Sequence, residues 1–328
     1  MSEPSLYPWH EPLWQRWRQV IAEARLPHAL LLSGLPGTGK RSFARQLARA
    51  HLCSGDAEGN RPCGACSQCR WLAAGSHPDL LVLEPEEGKA ELRVDPLREL
   101  GSALTLTGTS GRRAAIVDPA HAMNRAAANA FLKTLEEPPA GVLLMLVSEQ
   151  PSRLPATIRS RCQVVPFNPP PRREGLAWLV EHAGGDKQVL AQSLDLAGGA
   201  VGEAMRIADP ACRDERRAVL EDLAAAARGD LDPVTAAEKW QKLNLPDVLD
   251  WFARWLALAA APAGTTPEGD GPGLERFLAG VDSRGIFVLY DEVIRAHSAL
   301  DTQLRKDLML EELIIHWCRL TAGARSAA

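Results

Sequence analysis

Residues 28–33, His-Ala-Leu-Leu-Leu-Ser, form an apolar run that enters Gly34-Leu-Pro-Gly-Thr-Gly-Lys-Arg41 without a spacer, and residues 41–51 follow with apolar side chains at helical spacing. A buried strand, a glycine loop and a helix in that order are the frame of a phosphate-binding loop. The loop lies one residue from the pattern G-x-x-x-x-G-K-[ST]. There the glycines let backbone N–H groups close around phosphates, the Lys reaches the β/γ oxygens and the next hydroxyl holds Mg²⁺. Gly34, Pro36, Gly37, Thr38, Gly39 and Lys40 are therefore the candidate nucleotide-binding residues. Arg41 stands where the hydroxyl belongs, and Ser42 is rotated by about 100° around the helix, so its hydroxyl faces elsewhere.

Residues 80–83, 114–118 and 142–148 supply three more apolar runs of strand length. Between the last two, residues 124–137 place Ala127, Phe131 and Leu135 on one helical face before Pro138 and Pro139 end the pattern. Strands alternating with helices predict an α/β domain with a parallel sheet. The second part of a nucleotide site is an acidic residue ending a buried strand, usually followed by a Glu that activates water. Asp118 meets the first requirement. Pro119 fails the second, because proline has no ionisable group, and His121 reads as a surface or packing residue. Losses at both the metal ligand and the base predict a chain without intrinsic ATP hydrolysis. Lys40 and the backbone amides could still hold ATP or ADP without Mg²⁺, and the sequence leaves that occupancy open.

Seven cysteines are an odd number, and four of them fall at Cys53, Cys63, Cys66 and Cys69. Two overlapping C-x-x-C turns, with a fourth thiolate upstream, fit a tetrahedral structural Zn²⁺; a redox pair or an iron–sulfur cluster is the competing reading. Four sulfurs leave no open position for water, so the metal is expected to staple its loop to the preceding helix rather than to catalyse. With 37 basic and 41 acidic residues the net charge is −4, which argues against polyanion binding by bulk charge. A local strip of Arg153, Arg159, Arg161, Arg172 and Arg173 keeps a DNA contact open. No run reaches the ~18 apolar residues of a membrane span, and no basic-then-apolar leader opens the sequence, so a cytoplasmic protein is expected.

A chain of 328 residues suggests two or three domains. The proline-rich stretch at 166–171 reads as the exit from the α/β domain, which gives 1–166, a small helical unit at 167–209 and an all-α domain at 210–328. In the last, Val248, Leu249, Trp251, Phe252, Trp255 and Leu256 predict one apolar stripe, and Leu308, Leu310, Leu313, Ile314 and Trp317 another. Residues 261–273 read as a flexible connection.

Two further segments, Asn129-Ala-Phe-Leu-Lys-Thr-Leu-Glu-Glu-Pro-Pro139 and Leu154-Pro-Ala-Thr-Ile-Arg-Ser-Arg-Cys162, closely resemble the bacterial clamp-loader proteins of the AAA+ class. The four-cysteine insert behind the glycine-loop helix adds to the likeness. It is strong over residues 28–170, looser through the small unit and compositional in the last third. The resemblance implies an AAA+ domain, a helical lid and a collar that joins subunits. It further implies a hetero-pentamer with motor (gamma/tau) and delta subunits, which loads a sliding clamp onto primed DNA within a DNA polymerase III holoenzyme, a nucleotidyltransferase (DNA-directed DNA polymerase). Within that family Arg41 and Pro119 stand where the motor carries Ser/Thr and Glu. Gly202 takes the place of a second sensor Arg, with Arg206 one turn later. These departures imply the non-hydrolysing stator. From composition alone Arg161 reads as a solvated charge, whereas the resemblance makes it an arginine finger reaching in trans to a neighbour's ATP. Two alternatives stand beside this reading: a motor-type ATPase in which Ser42 or water replaces the lost ligand, and a free-standing zinc-containing DNA-binding protein.

Overall fold

The computed structural model describes residues 6–55, 61–86, 91–106, 108–109, 111–260, 283–300 and 305–326. Five strands, β1 (Ala29–Gly34), β2 (Leu80–Leu83), β3 (Arg113–Val117), β4 (Val142–Ser148) and β5 (Gln163–Phe167), form one sheet in the order β2-β3-β4-β1-β5. Every neighbouring pair is parallel; Leu31 of β1 stands opposite Leu146 of β4 on one side and Val164 of β5 on the other. The expected α/β domain with a parallel sheet is what the chain builds.

The helices around the sheet are α1 (Glu11–Ala22), α2 (Lys40–Leu52), α3 (Ser67–Ala73), α4 (Val94–Thr105), α5 (Arg125–Glu136), α6 (Ala156–Arg159) and α7 (Arg172–His182). They explain why the strand sequences are apolar without alternation. Ala29 and Leu31 of β1, with Leu144 and Leu146 of β4, join a core that includes Leu97 and Leu100 of α4 and Phe131 and Leu135 of α5. Leu30 and Leu32, with Leu143, Met145 and Val147, enter the opposite core against Trp14 and Trp17 of α1 and Phe43 and Leu47 of α2. Asn124 caps α5 by accepting a hydrogen bond from the Ala127 N–H at 2.9 Å, which starts the helix where the sequence predicts it.

The strand β5 carries little sequence signal. Its Gln163, Val164 and Pro166 are exposed, and Pro166 is tolerated because an edge strand pairs on one side only. The sheet therefore runs into the proline-rich stretch that reads as its exit.

The remaining helices are α8 (Lys187–Leu196), α9 (Val201–Ala208), α10 (Pro210–Arg228), α11 (Pro233–Trp240), α12 (Leu245–Ala260), α13 (Ser283–Ala299) and α14 (Lys306–Ser326). The chain forms two compact units, one of Met1–Gly185 with Ala197–Ala204, the other of Asp186–Leu196 with Met205–Ala328. In the second unit Val248, Leu249, Trp251, Phe252, Trp255, Leu256, Leu310, Leu313, Ile314 and Trp317 are all buried in one cluster. The Trp317 indole donates to the Leu223 carbonyl at 2.8 Å. Leu308 does not join them. It is 51% exposed, since two residues before Leu310 is about 200° around the helix. The predicted connection at 261–273 lies outside the described residues. Among those described, no helix is long and apolar enough to cross a membrane.

Ahead of α1, a short turn at Pro8–His10 sends its aromatic residues into the first unit. Tyr7 stacks on Trp9 with ring centroids 4.7 Å apart, and His10 meets the ring of Phe167 edge-on at 5.0 Å. His10 is 5% exposed, and neither of its ring nitrogens has a hydrogen-bond partner. Burial accordingly pulls its pKa down to about 4. The unfolded chain takes up this proton first, so stability is lost as pH falls from about 6.5 toward 4. Urea unfolding at pH 7 and pH 4.5 is expected to show a loss on the order of 2 kcal/mol from this group, absent in His10→Phe.

Candidate functional site

The glycine loop joins β1 to α2, and its backbone depends on glycine at two points. Gly37 (φ 70°) and Gly39 (φ 83°) are left-handed. A Cβ on Gly37 would lie 2.1 Å from the Glu203 backbone nitrogen, and one on Gly39 would lie 2.6 Å from the Tyr7 ring. The loop is thus overlaid by other parts of its own unit. Lys40 is 3% exposed, and its ammonium turns back on the loop, donating to the Leu35 carbonyl at 2.6 Å and to the Thr38 hydroxyl at 3.4 Å. Thr38 in turn donates to the same carbonyl at 2.8 Å.

Arg41 does what the sequence position suggests a metal should do. Its Nε donates to Asp118 Oδ2 at 2.6 Å, and its Nη1 lies 3.3 Å from Glu84 Oε1. Asp118 follows β3 and Glu84 follows β2, so a guanidinium joins two carboxylates at the C-terminal edge of the sheet. The Asp118 side chain is only 8% exposed. Burial pushes its carboxyl above the usual range against the pull of Arg41, so the ion pair offsets a desolvation cost. Glu149, just past β4, places a third carboxylate 3.8 Å from the Lys40 ammonium. Three strand ends therefore bring carboxylates to the loop, each met by the Arg41 guanidinium or the Lys40 ammonium.

Pro119 follows Asp118, and His121 lies two residues on, its Nδ1 3.3 Å from Ser148 Oγ and accepting from the Glu149 N–H at 3.4 Å. It ties the end of β4 to the turn after β3. Gly202 packs directly on the glycine loop: its N–H donates to the Gly37 carbonyl at 2.9 Å, and a Cβ there would sit 2.8 Å from the same oxygen. No long side chain fits at that position. Arg206, in the other compact unit, pairs with Asp247 at 2.7 Å.

The four cysteines converge. Their Sγ atoms all lie within 4.8 Å of one another, with Cys53 3.9 Å from Cys66 and Cys63 4.0 Å from Cys69. Zn–S bonds of about 2.3 Å in a tetrahedron put sulfurs about 3.8 Å apart, whereas a disulfide needs about 2.05 Å, so the spacing fits a shared metal. Cys53 caps the end of α2, and Cys66 accepts from the Cys69 N–H to start α3. Backbone N–H groups of Ala65 and Cys66 pull the Cys63 thiol below its usual range, which favours the thiolate that ligates. The Arg112 guanidinium donates to the His51 and Cys53 carbonyls at 3.2 and 3.4 Å, bringing positive charge toward the sulfurs.

Arg161 lies just past α6 and apart from the glycine loop in sequence. Its Nη1 donates to the Thr157 carbonyl at 2.9 Å and its Nη2 lies 2.5 Å from Glu136 Oε1. Arg153, Arg159, Arg172 and Arg173 are exposed on three separate elements. Sequence reasoning did not find Glu84, Glu149, Glu203 or Tyr7 around the loop. The aromatic density at Tyr7, Trp9, Trp14 and Trp17 is the one signal that could have flagged the cover.

A family model described as DNA polymerase III, delta subunit, matches residues 9–171. Over 96% of its length the chain is 35% identical to the DNA polymerase III subunit delta' of Pseudomonas aeruginosa, covering 98% of that protein. It is 33% identical to the same subunit of Escherichia coli K12 over 94% of each. The likeness to the E. coli subunit tau, 36% identity, spans 43% of this chain and 22% of tau. The chain belongs to the DNA polymerase III subunit delta' family.

Proposed function

We propose that the chain acts as the non-hydrolysing stator of a clamp loader, joining motor (tau/gamma) and delta subunits in a ring that places a sliding clamp on primed DNA in the cytoplasm. The observation that carries this reading is the Arg41 guanidinium on Asp118. A hydrolytic site needs Mg²⁺ at that carboxylate, and a guanidinium in contact with it at 2.6 Å competes for that position. The Lys40 ammonium turned onto Leu35, the absence of an ionisable group at Pro119 and the close packing of Gly202 support the same conclusion. By the resemblance, a motor-type site would differ at Arg41, Pro119 and Gly202.

The chemistry this chain contributes is then Arg161, which supplies positive charge to the transition state of ATP hydrolysis in a neighbouring motor subunit. Catalysis is split: the neighbour holds nucleotide, metal and base, and this chain holds the finger. With a net charge of −4, DNA is met through the assembled complex rather than by this chain alone. Zn²⁺ at Cys53, Cys63, Cys66 and Cys69 would supply structural cross-linking of α2 to α3, with no catalytic position.

The purified chain is expected to turn over no more ATP than its Lys40→Ala variant in a coupled assay; turnover lost on that substitution would instead establish a motor-type site. In a loader reassembled with unaltered partners, Arg161→Ala is expected to slow hydrolysis at the adjoining motor site by ~10³-fold. Full ATPase activity and clamp loading by that complex would remove the role in trans. Elemental analysis is expected to find about one zinc per chain, lost in Cys66→Ser together with thermal stability. Iron, or no metal, would point to one of the other cysteine chemistries.

A further inference from the structure

We propose that Glu136 is the positioning residue for Arg161, holding the guanidinium ready for the neighbouring site; this rests on the role in trans proposed above. Arg161 follows α6 by two residues, and two electronegative groups take hold of it. Glu136 Oε1 lies 2.5 Å from Nη2 and the Thr157 carbonyl 2.9 Å from Nη1. Each anchor engages a different nitrogen of a planar fork with five N–H donors. Together they fix the plane and direction of the fork, which a single contact would leave free to swing.

The placement of Glu136 has no local reason. It is the last residue of α5, where the carbonyl end of the helix already carries partial negative charge and a carboxylate is disfavoured. A Lys or Arg would suit that position. What the carboxylate gains there is Arg161, and the pair crosses from one element to another rather than lying within a helix.

Both anchors stand on rigid supports. Ile158 of α6 is fully buried in the same core cluster as Phe131 and Leu135 of α5, so the two helices that hold the guanidinium are packed into one body under the sheet. The Arg161 side chain keeps 35% of its surface exposed. It is presented outward rather than sunk into the protein. A charge that must meet a transition state on another molecule loses most when its orientation is lost, since misplacement by about 1 Å can cost ~10²-fold in rate. Glu136 therefore acts on the rate through Arg161 and touches neither nucleotide nor metal.

The test is steady-state ATPase of the reassembled loader with clamp and primed DNA, comparing wild type, Glu136→Gln, Glu136→Asp, Arg161→Ala and the double variant Arg161→Ala/Glu136→Gln. Glu136→Gln is expected to lower kcat about tenfold with KM for ATP unchanged, and Glu136→Asp to recover part of the loss. On the Arg161→Ala background Glu136→Gln is expected to change nothing further. Thermal unfolding of Glu136→Gln is expected to match wild type, as befits a half-exposed pair. The positioning role is overturned if Arg161→Ala lowers kcat while Glu136→Gln does not, or if Glu136→Gln lowers the Arg161→Ala rate by its full factor. Should Arg161→Ala itself leave kcat intact, the finger reading fails first and the role of Glu136 goes with it.

Discussion

Burial of β1 and β4 on both faces is the constraint on which the first compact unit depends. Each successive side chain of these strands must find an apolar neighbour, one in the core under α4 and α5, the next in the core under α1 and α2. A one-residue slip of register would still bury leucines, so composition does not set the register; the parallel ladder does, with Leu31 between Leu146 and Val164. That alignment brings the ends of β1, β2, β3 and β4 to one edge. Glu84, Asp118, Glu149 and the glycine loop meet there because the strands that carry them are in step.

At that edge the chain resolves its own electrostatics. Carboxylates from three strand ends would repel one another and would resist desolvation. Arg41 answers two of them and Lys40 the third. In a nucleotide-binding relative of this frame the same balance is reached with a divalent ion and polyphosphate. Here Arg41 and Lys40 bring positive charge to the same carboxylates from within the chain.

Most of this fold was legible where the physics is local. Doubly buried strands give unbroken apolar runs, which marked β1, β3 and β4. The cap at Asn124 and the face of Ala127, Phe131 and Leu135 marked α5, and cysteine spacing alone brought four thiols together. The edge strand β5 was hidden because half its residues face solvent, and Leu308 was misplaced because a stripe read by eye ignores helical phase. The surroundings of the loop were hidden for a different reason. Glu84, Glu149 and Glu203 are single acidic residues at ordinary loop positions, and only the sheet order makes them neighbours. Arg161 carried no signal of its own beyond the segment around it.

The bond from the Gly202 N–H to the Gly37 carbonyl bears on how such a subunit behaves through a reaction cycle. A ligand shifts a conformational equilibrium only by binding one state better than another. In this unit the segment 197–204 touches the loop backbone to backbone, with no ligand between them. In the ring proposed above, a contact made without ligand would leave ATP binding elsewhere less differential free energy to deliver here. On that reading the subunit would serve as a fixed reference against which mobile neighbours are measured.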